Sequence, residues 1–326
     1  MGYKSTDSLM RHLRNSGIKI SGSSQKRQLI NTGYYHGYKG YRFFNHSGNR
    51  LPFISYSEIN ATILYDSKLK SLFYGKIMFI ETAMKNVALE CILKEANSED
   101  IQVILNKLVS SYNNAPASLP VEKKKKLQQN KLNLQGSIQT SLSKAYRANN
   151  PIITHFYNHN GYSGVPIWAL FEIMTMGDFG FLLSCLTYEV RDKISKRLKI
   201  NVSCDTERCL IYKYIYALKD LRNAIAHNSV VFDTRFSKID ANKAMKKCLE
   251  LEMKLPYVNF KTIEDYVLLM CYYLKLLGVS KTEIKAFVRE FEKITEDYTK
   301  SVSNNVAAKV IHPDLGKKIS ALKKYI

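Results

Sequence analysis

The chain is short of negative charge. Its 28 acidic side chains stand against 49 Lys and Arg, giving a net charge of +21 over 326 residues. Such an excess points to a polyanion partner, either nucleic acid or an anionic membrane surface. There is no apolar run of about 18 residues, the length a membrane span needs, so no membrane span is predicted. Of the two polyanions RNA is the expected partner, and no membrane partner is expected. Residues 1–13 are polar and basic and do not read as a secretory signal. The six cysteines, Cys91, Cys185, Cys204, Cys209, Cys248 and Cys271, form no Cys-x-x-Cys pair. They read as reduced thiols of a cytoplasmic protein. Cys204 and Cys209 have no histidine nearby, so no metal site is expected there. A P-loop, a Gly-rich dinucleotide fingerprint and a fixed-period repeat are all missing, and no cofactor is expected. Strand-like alternation is nearly absent as well. The chain therefore reads as all-α, and 45% hydrophobic residues suffice for a packed core.

Residues 5–15 predict a short basic helix ended by Gly17, and Ser21–Ser24 cap a second one that stops at Gly33. An aromatic stretch follows, Tyr34 to Phe44, interleaved with Lys39 and Arg42. The aromatics are read mainly as packing, and Lys39 and Arg42 as RNA-contact candidates. Residues 1–55 form a small N-terminal subdomain on this reading, and 56–326 the main helical domain. Ser55 or Ser57, with Glu58 in the first turn, starts a long helix that Gly75 kinks. A separate helix then runs from Lys76 to about Ala96, with an inward stripe of Ile77, Glu81, Met84, Ala88 and Cys91.

Residues 97–150 are polar and read as a helical insertion. Lys123, Lys124, Lys125 and Lys126 are either a solvated helix face or phosphate contacts. Pro151 begins a loop, where Gly161, Gly164 and Pro166 argue against the helix that His155 and His159 would need to share a metal. Trp168, the single tryptophan, is placed in the core of a helix running to Met176, and Gly177 breaks the pattern. C-terminal helices are expected at about 240–300. The first is capped by Asp240, and Ser280 with Glu283 forms a capping box for a later one. Lys317, Lys318, Lys323 and Lys324 make a basic tail or short helix.

One stretch stands apart, Leu221-Arg222-Asn223-Ala224-Ile225-Ala226-His227. At helical spacing, Ile211, Ile215, Leu218, Arg222 and Ile225 share a face. Arg222 thus interrupts an apolar stripe, and a buried guanidinium needs a carboxylate or a phosphate. Asn223 and His227 are four apart, on one face if the helix continues. An imidazole can exchange protons near neutral pH, and a guanidinium can clamp a phosphate. Together they can cut RNA without a metal, the RNA supplying its 2′-hydroxyl as nucleophile. The competing reading has Arg222 pairing with a core carboxylate and His227 capping a helix C-terminus, where cations are favoured. Glu81, inward on its own helix, suits either case: it neutralises Arg222 or positions it for phosphate.

Four stretches in order resemble abortive-infection proteins of the AbiD/AbiF type, which carry a HEPN ribonuclease domain. They are Gly17–Ile20 leading to Asn31–Tyr35, then Ile80–Lys85, then Pro166–Glu172 with Met176–Asp178, and Leu221–Asn223 through Ala226–Asn228. The chain departs from that pattern at Lys85, where the family usually has Arg, and at Val230 and Val231, where it has Arg soon after the His. The resemblance implies a HEPN-type bundle and metal-independent endoribonuclease activity in phage defence. It makes His227 the acid/base, Arg222 the phosphate clamp, Asn223 the orienter and Glu81 a supporting residue. Lys85 joins the RNA-contact candidates. With one motif per chain, the resemblance further implies a homodimer, and an association with a small structured RNA. The alternative is a non-catalytic RNA-binding protein of a defence or toxin–antitoxin complex.

Overall fold

The computed structural model describes residues 5–158, 164–238 and 243–326. The chain is 72% helical and all-α. Among the described residues the fifteen helices are α1 Thr6–Asn15, α2 Gly22–Thr32, α3 Tyr56–Ala96, α4 Ile101–Leu108, α5 Val121–Arg147, α6 Pro151–Asn158, α7 Ile167–Ile173 and α8 Met176–Cys185, followed by α9 Tyr188–Arg197, α10 Leu210–Ala226, α11 Lys243–Met253, α12 Ile263–Leu276, α13 Lys281–Ser301, α14 Asn304–Val310 and α15 Leu315–Tyr325. Backbone pairing outside helices is limited, among the described residues, to isolated bridges such as Lys19 with Ser55 and Val109 with Leu186. All six cysteines are free thiols.

The chain forms two compact units. One comprises 1–77, 220–241 and 249–326; the other comprises 78–219 and 242–248. Helices α3, α10 and α11 each contribute residues to both.

In the first unit, α1 packs on α2, and a π-helical turn, Gly33–Lys39, continues directly from α2. The entry to α3 is a capping box. The Glu58 amide donates to Ser55 Oγ, and the Glu58 carboxylate accepts the Ile54 and Ser55 amides. Its other oxygen accepts the Ser303 amide at 3.0 Å, which ties the helix start to the turn before α14. Burial alone would raise this carboxyl, but the hydrogen bonds from Ile54, Ser303 and Ser55 outweigh it and hold it below its ordinary value. Tyr65 stacks on Tyr298, and Phe73 meets Phe287 and Phe291 of α13. Helix α12 is buried along nearly its whole length and packs against α13 and α15. Lys318 does not belong to a solvated tail: it is 3% exposed and pairs with the fully buried Asp265 at 2.6 Å.

Helix α3 is continuous through Gly75, with no second helix starting at Lys76. A helical glycine costs about 1 kcal/mol. Phe73 and Ile77, both fully buried on either side of it, outweigh that cost. In the second unit, α5 lays Leu134, Ile138 and Leu142 against α7 and α8. Ser137 donates to Asp178 at 2.7 Å across the same contact.

Three further expectations are corrected in this unit. Residues 151–158 are helical, because Asn150 accepts the Ile152 and Ile153 amides and Pro151 suits a first helical position. Trp168 is 37% exposed, with its indole N–H on Glu99 at 3.1 Å and its ring edge on Phe156, so it is not core. The break before α8 comes from the Thr175 cap, whose hydroxyl accepts the Asp178 amide, and Gly177 lies inside the helix. His159, Gly161 and Asp240 lie outside the described residues.

Candidate functional site

The motif helix α10 is fixed at both ends by hydrogen bonds the sequence encodes locally. At its start the Asp205 carboxylate accepts the Cys209 and Leu210 amides at 2.8 and 2.9 Å. Along it, Ile211, Ile215 and Leu218 are fully buried. At its end the Ser229 amide reaches back to the Ala224 carbonyl, and the Asn228 amide to the Ile225 carbonyl. This pair of bonds is a Schellman motif. It requires a left-handed residue at Asn228, whose φ is 51°, and asparagine tolerates that conformation.

The motif side chains sit on this terminus. Arg222 is half-buried, and its Nη1 donates to Asn223 Oδ1 at 3.2 Å. Its Nε is buried and has no hydrogen-bond partner among the described residues. His227 occupies the C-cap position, is exposed, and donates its amide to the Asn223 carbonyl at 3.0 Å. A guanidinium with unused donor capacity therefore stands five residues before an exposed imidazole at the same helix end. That arrangement can accept an anion and exchange a proton beside it.

The same unit holds a network that sequence reasoning missed. Asp66, fully buried in α3, accepts the Val231 and Phe232 amides at 2.8 Å each and the Tyr41 hydroxyl at 2.8 Å. Burial, reinforced by this carboxylate, pushes the Tyr41 phenol well above its ordinary value. Lys70, one turn on, pairs with Asp66 at 2.7 Å and donates to Asn228 Oδ1 at 2.9 Å. The Asn228 amide nitrogen lies 3.2 Å from His36 Nε2. The signal was present in the sequence: Ile59, Thr62, Asp66, Leu69 and Phe73 share one face, and Asp66 interrupts it much as Arg222 interrupts its own.

The aromatic stretch is clamped to the chain that follows the motif. Arg235 forks onto Asp233, donates to the Gly40 and Phe43 carbonyls at 2.8 and 2.7 Å, and lies 4.2 Å over the Phe43 ring. Lys39 and Arg42 are half-buried here, with the Lys39 ammonium 5.6 Å from the Tyr34 ring. Lys39, Arg42, Arg222, Asn223 and His227 thus belong to one compact unit.

Glu81, Lys85 and the lysine run belong to the other unit. Lys85 pairs with Glu81 at 3.2 Å and donates to the Met174 carbonyl at 2.6 Å, while Glu81 Oε2 has no hydrogen-bond partner among the described residues. Lys123, Lys125 and Lys126 are exposed in the first turns of α5, and Lys124 is half-buried. Lys124 reaches the Ala117 carbonyl, and Lys125 reaches Glu122 at 3.1 Å.

A family model for Abi-like proteins matches residues 27–233, more than half of the chain. The chain belongs to the Abi-like protein family. The matched span begins before the π-helical turn that carries His36 and closes at Asp233, just beyond the motif helix. Membership suggests a part in abortive-infection defence. No curated protein and no solved structure matches the chain. Among the described residues, no helix is long and apolar enough to cross a membrane.

Proposed function

We propose that this Abi-like protein is a metal-independent endoribonuclease of the HEPN type, close to the AbiD/AbiF group, acting in abortive infection. The observation that carries the proposal is Arg222 itself. It is half-buried, its Nε is unpaired among the described residues, and it bonds Asn223 one turn from the exposed His227. A buried donor without a partner costs roughly 1–3 kcal/mol, and a phosphodiester oxygen would satisfy it.

In this reading the RNA 2′-oxygen attacks the adjacent phosphorus and the bond to the 5′-oxygen breaks. One imidazole takes the 2′-hydroxyl proton, and one gives a proton to the departing 5′-oxygen. Two chains, each bringing one Arg222–His227 motif, supply both imidazoles in a shared cleft. Arg222 holds the phosphate charge, and Asn223 orients Arg222. Incubating the protein with total bacterial RNA in EDTA tests the activity: fragments should accumulate, and RNA left intact counts against it.

A second reading, a non-catalytic RNA-binding protein of a defence or toxin–antitoxin complex, draws on the lysine run. Four lysines in the first turns of a helix oppose its dipole, and phosphate contacts would offset that cost. RNA that co-purifies with the protein but stays uncut would favour this reading.

A further inference from the structure

The Lys70–Asn228–His36 chain fixes the chemistry of the His36 ring. A lysine ammonium can only donate, so the oxygen of the Asn228 carboxamide must face Lys70. The amide nitrogen then faces His36 and donates to Nε2 at 3.2 Å. Nε2 has to offer its lone pair to this bond, which leaves Nδ1 as the protonated nitrogen of the ring. Lys70 cannot turn away, because its ammonium is also held by the fully buried Asp66. The Tyr41 ring, edge-on at 6.4 Å, backs His36.

The backbone under His36 is unusual in the same way. Residues 33–39 form a π-helical turn, a rare conformation that concentrates at functional sites. Gly37 makes it possible: a Cβ there would lie 2.9 Å from Thr32 Oγ1, which is itself bonded to the Gln28 carbonyl and the Tyr56 hydroxyl. His36 is nonetheless exposed, and packing does not explain this support.

We infer that His36 is a phosphate-binding residue of the RNA site, donating Nδ1–H to a phosphodiester oxygen beside the Arg222–His227 motif. Asn228 and Lys70 are its positioning residues. The inference rests on the ribonuclease reading and adds to it a contact from the N-terminal segment.

The test compares cleavage of total bacterial RNA in EDTA with affinity for a 2′-O-methyl RNA oligonucleotide, which binds but cannot be cut. His36→Ala should slow cleavage about tenfold or more and weaken oligonucleotide binding, because a hydrogen bond to a charged group is lost. His36→Gln, which keeps a side-chain N–H donor, should recover most of both. Asn228→Gly removes the carboxamide without straining the left-handed backbone and should match His36→Ala, with the double variant no worse than either. His227→Ala should lose roughly 10²–10⁴-fold in cleavage rate yet leave oligonucleotide affinity near that of the parent. Parental rates and affinities for His36→Ala and Asn228→Gly, with His227→Ala slowed to that extent, would overturn this inference and leave the ribonuclease reading standing. A His227→Ala protein as active as the parent would overturn both. If His36→Ala loses helicity by circular dichroism and His36→Gln recovers no activity, the role is structural and the inference fails.

Discussion

Lys70 donates to the Asn228 carboxamide at 2.9 Å, joining the long helix α3 to the turn that ends the motif helix. Asp66 completes the joint by accepting the backbone amides of Val231 and Phe232. The end of α10 is thus held on two sides, by its own Schellman bonds and by a buried ion pair.

Removing Asp66 should therefore be severe. Asp66→Ala strands Lys70, the Tyr41 hydroxyl and two buried amides together. Losing one partner of a buried pair costs about 3–5 kcal/mol. Thermal and urea denaturation should show the midpoint falling by many degrees. A variant that melts with the parent would mean that this network does not hold the motif in place.

Glu58 gives the fold an acid-sensitive point. Its hydrogen bonds from Ile54, Ser55 and Ser303 hold its folded pKa below the unfolded value, which is near 4.3 for Glu. The carboxylate therefore contributes stability above about pH 4.3, and that contribution is lost as pH falls through the lowered folded value. Glu58→Gln should be less stable than the parent at neutral pH, with the gap closing in acid. A gap that stays constant from pH 7 to pH 3 would contradict the assignment.

Much of this architecture was legible in the sequence. The Ser55–Glu58 box and the apolar stripe ending at Arg222 rest on local rules, and the structure bears both of them out. Some expectations fail because local caps overrule them, as at Asn150 and Thr175, and others because distant contacts decide. Gly75 was read by propensity, but tertiary contacts at Phe73 and Ile77 decided the conformation. The last lysines are expected in a basic tail or a short helix; the short helix is there as α15, but Asp265, far away in sequence, buries Lys318 within it. The Asp66–Lys70–Asn228–His36 chain joins segments remote in sequence, and no local pattern announces such a pairing. Asp66 did show as a charge on an apolar face.

The lysine run bears on RNA affinity. Each lysine that contacts phosphate releases counterions, so affinity should fall steeply with salt. Replacing Lys123, Lys124, Lys125 and Lys126 with Gln should flatten the plot of log affinity against log salt. The change is about 0.7 for each residue that touches a single strand. An unchanged slope would remove the run from the RNA path.

A shared cleft requires two chains. Light scattering at micromolar concentration should report a dimer, with or without RNA. A strict monomer that cuts RNA at full rate would contradict the shared-cleft mechanism.

The central claim is that His227 moves protons while the RNA supplies its own nucleophile. It is tested most directly by comparing the parent and His227→Ala in EDTA, each on an RNA and on its 2′-deoxy counterpart. His227 is exposed at a helix end, so circular dichroism of the variant should match that of the parent. The account predicts that the parent cuts only the RNA, leaving a 2′,3′-cyclic phosphate or its 3′-phosphate product and a 5′-hydroxyl. The variant should lose roughly 10²–10⁴-fold in rate. A folded His227→Ala protein that cuts as well as the parent, or cleavage of the 2′-deoxy strand, would contradict it.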